Sequence, residues 1–134
     1  MSQDRWVLLR RVESYDIAAM AAVVKEGFEL LGRKPQGKVL IKPNVVMANK
    51  NYSQFAFTHP DLVGTVVDHV RTFPGVADLN IGESGGFALP TRMLFKESDY
   101  YAMGRRHHVP ITDFNEDKYV KTTLARAKYH KTML

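Results

Sequence analysis

Two hydrophobic patterns follow each other in turn along most of the chain. One is a short continuous run of apolar residues, and the other is a segment in which apolar residues recur at helical spacing. The short runs that predict strands lie at 6–12, 38–46, 76–81 and 109–114. The segments with apolar residues three and four positions apart, which predict helices, lie at 17–31, 58–73 and 91–106. A chain that alternates strand and helix in this way forms a parallel sheet with helical crossovers, each of which should be right-handed.

Individual residues indicate where some of these predicted elements begin and end. Asp16 occupies the N-cap position of the first predicted helix, and Gly32 follows its end. Pro43 has no amide N–H to donate to a sheet, so the pairing of the second strand should stop near Ile41. We therefore expect an α/β domain over 1–117 with a three-layer, open and mostly parallel Rossmann-like sheet.

The chain is 134 residues long and has no cysteine. This length allows one domain with a core of its own. The absence of cysteine excludes disulfides, thiolate zinc sites, iron–sulfur ligands and a cysteine nucleophile within this sequence, and no other cofactor is evident. The sequence has neither a signal peptide nor an apolar run long enough to span a membrane. We expect a cytoplasmic protein that does not enter a membrane.

The net charge of +5 comes entirely from the end of the chain. Residues 1–117 contain 14 basic and 14 acidic residues, and the excess lies in the basic tail, 118–134, which has no acid. A tail of this kind is either a solvated terminus or a surface that binds the phosphates of a nucleic acid. Nucleic-acid binding is therefore one alternative function.

Polar residues follow three of the predicted strands. Ligands of open parallel sheets bind beyond the carboxyl ends of the strands, where the connecting loops converge. Lys42 and Asn44 follow the second strand, the 82–89 segment follows the third, and the 113–117 segment, which begins with Asp113, lies at the end of the fourth. The ammonium of Lys42 would suit an anionic ligand, but Lys42 would equally reach solvent while Asn44 forms a local turn.

His59 stands before Pro60, and this arrangement first of all starts a helix. Its imidazole is also a candidate acid or base. The other histidines lack the spacing of a metal site, and we expect no metal.

The glycine-rich turn "GESGG" resembles the serine elbow of hydrolases, but Phe87 to Pro90 intervene before a helix can begin. We therefore do not expect Ser84 to be an acylating nucleophile. Gly82, Gly85 and Gly86 would instead let the turn present free amide N–H groups to an anion, with Glu83 and Ser84 lining the pocket. A plain connecting turn is the alternative.

The segments "KVLIKPNVV", "THPDLVGTVVDHVR", "ADLNIGESGG" and "VPITDFN" together resemble the domain-of-unknown-function family numbered 362 over about residues 38 to 117. The positions that the resemblance carries over to this sequence are Lys42, Asn44, Thr58, His59, Pro60, Gly82, Glu83, Ser84 and Gly86. Members of that family usually continue into a second half and often carry cysteine-rich clusters, which this sequence lacks. The resemblance therefore implies that the sheet is incomplete and that 118–134 begins a missing second half, if it is not simply a tail.

These observations leave three functions open. The first is an α/β domain that binds a small anionic molecule at the strand ends, as a binding protein or as half of an enzyme. In that case Glu83, His59 or Ser84 would be the candidate catalytic residues. The second is a non-catalytic assembly module that pairs with a further copy or with a missing half, and the third is binding of nucleic acid through the tail. The sequence does not decide whether the protein is an enzyme.

Overall fold

The fold is an open parallel sheet whose strands are joined by helices. The computed structural model describes residues 7–49, 51, 56–85, 89–123, 125–126 and 132–133. Its elements in chain order are α1 (Ile17–Leu30), β1 (Gly37–Ile41), α2 (Pro60–Arg71), β2 (Val76–Glu83), α3 (Thr91–Glu97), α4 (Tyr100–Arg106), β3 (Ile111–Asp113), β4 (Thr122–Thr123) and β5 (Thr132–Met133).

The three-stranded sheet has the order β1-β2-β3, and both pairs are parallel. Helix α2 forms the crossover between β1 and β2, and α3 with α4 forms the crossover between β2 and β3. Two right-handed crossovers that step in the same direction lie on the same face of a sheet. The direct contact between α2 and α4 agrees with this arrangement. The predicted α/β class and the open parallel sheet with helical crossovers are confirmed.

The core lies between this sheet and the helices. Alternate strand residues, among them Leu79 and Ile81, are buried against Val67 of α2 and Met103 of α4. The intervening residues point to the opposite face, where Leu40 is 53% exposed. No helix of the described residues covers that face. The described part of the chain therefore contains two of the three predicted layers.

Local signals explain the ends of α1. The side chain of Asp16 accepts a hydrogen bond of 2.7 Å from the amide of Ala19, as the sequence predicted for its N-cap. Gly32 follows the helix in the left-handed region at φ 59°, where a glycine has no steric penalty. The pairing of β1 ends at Ile41, as Pro43 predicted.

The predicted first strand is wrong, because residues 7–12 form no strand. This segment runs along α1 instead: Arg10 forms an ion pair with Glu26, and Leu8 lies beside Gly27. Every second apolar side chain still faces solvent, since Val7 is 88% and Leu9 85% exposed. An apolar run does not reveal whether it will pair with a strand or lie against a helix.

The single helix predicted over 91–106 is also wrong, since α3 and α4 are separated at Asp99, which adopts a left-handed conformation with φ 59°. The hydroxyl of Ser98 donates a hydrogen bond of 2.6 Å to the carbonyl of Leu94 and competes with the helical backbone at the break.

In the tail, β4 and β5 form a two-residue antiparallel pair. None of the helices in the described part of the chain is long and apolar enough to cross a membrane.

Candidate functional site

The sheet register brings the strand ends together. Ile41 pairs with Ile81, and two residues further along Glu83 pairs with Asp113. The segments that begin at Lys42, Ser84 and Phe114 therefore leave the sheet side by side, at the carboxyl ends of its strands. We call this end of the sheet the rim. The sequence predicted this convergence together with a pocket of unpaired amides, and the register shows the convergence alone.

An ion pair joins the first two of these segments. The Lys42 ammonium lies 2.6 Å from Oε2 of Glu83. The two partners differ in environment, because the side chain of Glu83 is 5% exposed and that of Lys42 is 58% exposed. Burial of a carboxylate to this degree is energetically costly unless an oppositely charged partner accompanies it. Lys42 supplies that partner, while more than half of its side chain stays exposed.

The phenol of Tyr100 lies within electrostatic reach of Glu83, and the residue is fully buried. Burial, and secondarily the negative charge of Glu83, raise the pKa of Tyr100 above its ordinary value. The neutral hydroxyl donates a hydrogen bond of 2.8 Å to the carbonyl of Thr58. Tyr100 thus connects α4 to the loop that leads into α2.

The glycine-rich turn does not present free amides where the structure describes it. The amide of Ser84 donates to Oε1 of Glu83 at 2.8 Å, and the amide of Gly85 donates to the hydroxyl of Thr91 at 2.8 Å. The expectation that these N–H groups await an anion is therefore wrong for both residues. They fix the Glu83 carboxylate and the start of α3 instead. Gly86 lies outside the described residues.

Ser84 itself is exposed. Helix α3 begins only at Thr91, so Ser84 does not stand at a strand-to-helix elbow of the hydrolase type. Its side chain makes no hydrogen bond within the described residues, and it faces solvent next to the Lys42–Glu83 pair.

The backbone of Asn44 is held to Thr58, in the loop before α2. Its amide donates to the Thr58 hydroxyl at 3.2 Å, and its carbonyl accepts from the Thr58 amide at 2.8 Å. The Asn44 side chain is left exposed and forms no hydrogen bond among the described residues, which does not support the alternative of a local side-chain turn.

His59 has a structural task. It caps α2, and its Nδ1 accepts a hydrogen bond of 3.3 Å from the amide of Asp61. Its ring stacks on Tyr15 with a centroid distance of 3.6 Å. No contact joins this ring to Lys42 or Glu83 among the described residues. The structure therefore separates His59 from the ion pair at the level of direct contact.

Gly82 and Asp113 have packing roles beside the rim. A Cβ on Gly82 would collide with the Phe114 ring, so only glycine fits beneath that ring. A side-chain oxygen of Asp113 accepts a hydrogen bond of 2.9 Å from the amide of Asn115. This bond shapes the turn after β3.

Sequence reasoning missed two residues of the site, Tyr100 and Thr91, and included Asn115 only as part of the 113–117 strand-end segment. Thr91 is buried and accepts from both Gly85 and the Asn115 side-chain amide, each at 2.8 Å. The "ITDFN" segment gave a signal for Asn115, since polar residues followed the strand there. Nothing in the local pattern marked Thr91 or Tyr100, because both act through contacts with distant segments. Within the described part of the chain, no three His, Cys, Asp or Glu side chains group closely enough to hold a metal ion.

A comparison with family models identifies the family of this chain. The model described as Domain of unknown function (DUF362) matches residues 39–134, which include the last three residues of β1 and all of the described elements after it. The chain belongs to this family. The resemblance inferred from the strand-end motifs is thereby confirmed. The DUF362 match assigns no reaction, and no curated protein and no solved structure matches the chain significantly.

Proposed function

We propose that this DUF362 domain binds a small anionic molecule at the rim formed by Lys42, Asn44 and Ser84. The observation that carries the proposal is the Lys42–Glu83 pair: a buried carboxylate holds the ammonium in place at 2.6 Å, while more than half of the lysine side chain stays exposed. An ammonium has three donors, and Glu83 uses one of them. The other two are available to a ligand.

Two neutral groups extend the same surface. The hydroxyl of Ser84 and the side-chain amide of Asn44 are exposed and unpaired among the described residues. Both are able to donate to an anionic oxygen. The ligand would thus be recognised by side chains, because the Ser84 and Gly85 amides are already engaged.

The ion pair limits the expected affinity. Lys42 and Glu83 neutralise each other, so the rim has little long-range attraction for anions. Binding depends instead on short, directional hydrogen bonds, and a ligand with several oxygens on one centre suits three donors best. Phosphate monoesters and small carboxylates fit this description.

The same pair supports a role in proton transfer. If the bound anion is a substrate, Lys42 and Glu83 stand next to it as an acid and a base within hydrogen-bond distance of each other. The structure gives less support to His59 as a proton-transfer group, because its Nδ1 accepts a hydrogen bond at the start of α2. A cytoplasmic location, where phosphorylated and carboxylated metabolites are abundant, is part of the proposal.

Isothermal titration calorimetry with inorganic phosphate, glycerol phosphate and citrate tests this function. The informative variant is Lys42→Met with Glu83→Gln, which removes the cation without leaving a buried charge. The matched control is Lys38→Met, since Lys38 is an exposed lysine at the other end of β1. We expect at least one probe to bind wild type and the control equally, and the double variant to lose most of that heat. Equal heats for all three proteins would remove Lys42 from the site.

A further inference from the structure

The sheet has two outer edges among the described residues, and they differ in charge. Strand β1 forms one edge and β3 the other. Lys38 lies near the start of β1, and Lys42 follows its end. Exposed lysines on an edge oppose its pairing with a like edge. The β1 edge is therefore protected against self-association.

The outer side of β3 has backbone groups that no strand of the described residues pairs with. Pro110 and Phe114 bond to β2, through Ile81 N–H to Pro110 O and Phe114 N–H to Glu83 O, both at 3.0 Å. Because alternate residues of a strand direct their backbone groups to opposite sides, Ile111 and Asp113 direct theirs away from β2. The Asp113 carbonyl accepts one hydrogen bond of 3.1 Å from the Glu116 amide, and its second lone pair remains for a further donor. No strand pairs with them within the described part of the chain.

Charges of opposite sign flank the two ends of this short strand. Arg105 and His108 precede it and line an open cleft of about 390 Å³ together with Tyr101, Gly104, Val109 and Ile111. Neither the Arg105 guanidinium nor the His108 ring forms a hydrogen bond or ion pair among the described residues. At the other end lie Asp113, Asp117 and Glu116, of which Glu116 already forms an ion pair with Arg92.

We propose that two copies of this chain pair through their β3 edges, antiparallel about a twofold axis at Thr112. In this register Ile111 of one copy faces Asp113 of the other, and each such pair exchanges two backbone hydrogen bonds. The basic end of one edge then meets the acidic end of the other, as a self-complementary interface requires.

Side-chain direction fits the same register. Ile111 packs against the helical layer, and Asp113, two residues further on, points to that same face of the sheet. A twofold axis perpendicular to the sheet keeps both helical layers on one side. The Asp113 carboxylate of the second copy therefore enters the cleft beside Ile111, where Arg105 has no partner of its own among the described residues.

The interface is small, since β3 has three residues. Association should therefore be weak and concentration-dependent, at the low end of specific interfaces. It should also weaken with salt, because the charges that set the register are exposed. This interface does not depend on the anion-binding rim.

Sedimentation velocity over a concentration series tests the proposal on the full chain. Wild type should shift from 15.2 kDa toward twice that mass as its concentration approaches about 1 mM. Arg105→Glu should weaken association about tenfold, because the introduced carboxylate would face Asp113 of the other copy, and Asp113→Lys should do the same by placing two cations together. Lys38→Glu on the β1 edge is the matched control and should leave association unchanged.

A mixture gives the sharpest readout. In a heterodimer, one chain carries Arg105→Glu and the other carries Asp113→Lys. The introduced glutamate of the first chain then faces the introduced lysine of the second. The native Arg105 of the second chain faces the native Asp113 of the first. Both pairs are attractive, so the mixture should associate as well as wild type while each variant alone does not. Circular dichroism confirms that the variants are folded. A wild type that stays monomeric over the whole series, a mixture no tighter than its components, or an equal effect of Lys38→Glu would each overturn the proposal.

Discussion

Removal of the Lys42 ammonium should destabilise the fold through Glu83. Lys42→Met keeps the length of the aliphatic side chain but leaves a carboxylate that is 5% exposed without its partner. Glu83→Gln alone leaves an amide that still accepts from Lys42. The double variant has no buried charge at all, and it should therefore recover most of the stability lost in Lys42→Met.

The magnitude follows from the burial of the two partners. Loss of one member of a fully buried pair costs about 3–5 kcal/mol, whereas an exposed pair contributes about 0.2–1 kcal/mol. Here one partner is buried and the other is 58% exposed, so water screens part of the interaction. We expect Lys42→Met to lower the free energy of unfolding by about 2 kcal/mol, between those limits.

Urea denaturation of wild type, the two single variants and the double variant gives the coupling free energy. Lys38→Met serves as the control for loss of a lysine on the same strand and should change stability by less than about 0.5 kcal/mol. The coupling should be well above the roughly 0.3–0.5 kcal/mol within which independent sites add. Additive single effects would show that Glu83 does not depend on Lys42, and would refute the reasoning.

Two further predictions concern the packing around the rim. Gly82→Ala should lower the free energy of unfolding by about 1–3 kcal/mol, because the new Cβ would collide with the Phe114 ring and lie 3.2 Å from Leu40. Thermal unfolding measures this loss. A smaller loss in a Phe114→Leu background would attribute the effect to the ring, and an equal loss would contradict this explanation. Tyr100 has a raised pKa, so its stabilising effect is present below the ordinary tyrosine pKa of about 10 and is lost as the pH rises further. The free energy of unfolding of wild type should therefore fall more steeply above that pH than that of Tyr100→Phe, by up to about 1.4 kcal/mol per pH unit, and equal slopes would contradict the burial of the phenol.

Local patterns predicted the parts of the fold that depend on local physics. Asp16, Gly32 and Pro43 marked the ends of α1 and β1 correctly, because capping and the missing proline N–H act within a few residues. The convergence of Lys42 with the turn after β2 also followed from sequence, since the carboxyl ends of adjacent parallel strands must share an edge.

The errors arose where a distant segment decides the outcome. Residues 7–12 lie along α1 because Arg10 pairs with Glu26, and an apolar run alone cannot specify that choice. The amides of Ser84 and Gly85 are engaged because Glu83 turns back on its own chain and Thr91 lies opposite the turn. A glycine-rich sequence predicts that a backbone is able to turn, but which groups will satisfy its amides is decided by tertiary contacts.

Nuclear magnetic resonance titration with inorganic phosphate and with citrate tests the proposed anion site most directly. Backbone amide shifts should change together at 42–44 and 83–85, with the Lys42 ammonium as the focus, and the Lys42→Met, Glu83→Gln double variant should lose these changes. Changes confined to the basic residues after Asp117, or none at the rim at millimolar anion, would contradict an anion site at the carboxyl ends of the strands.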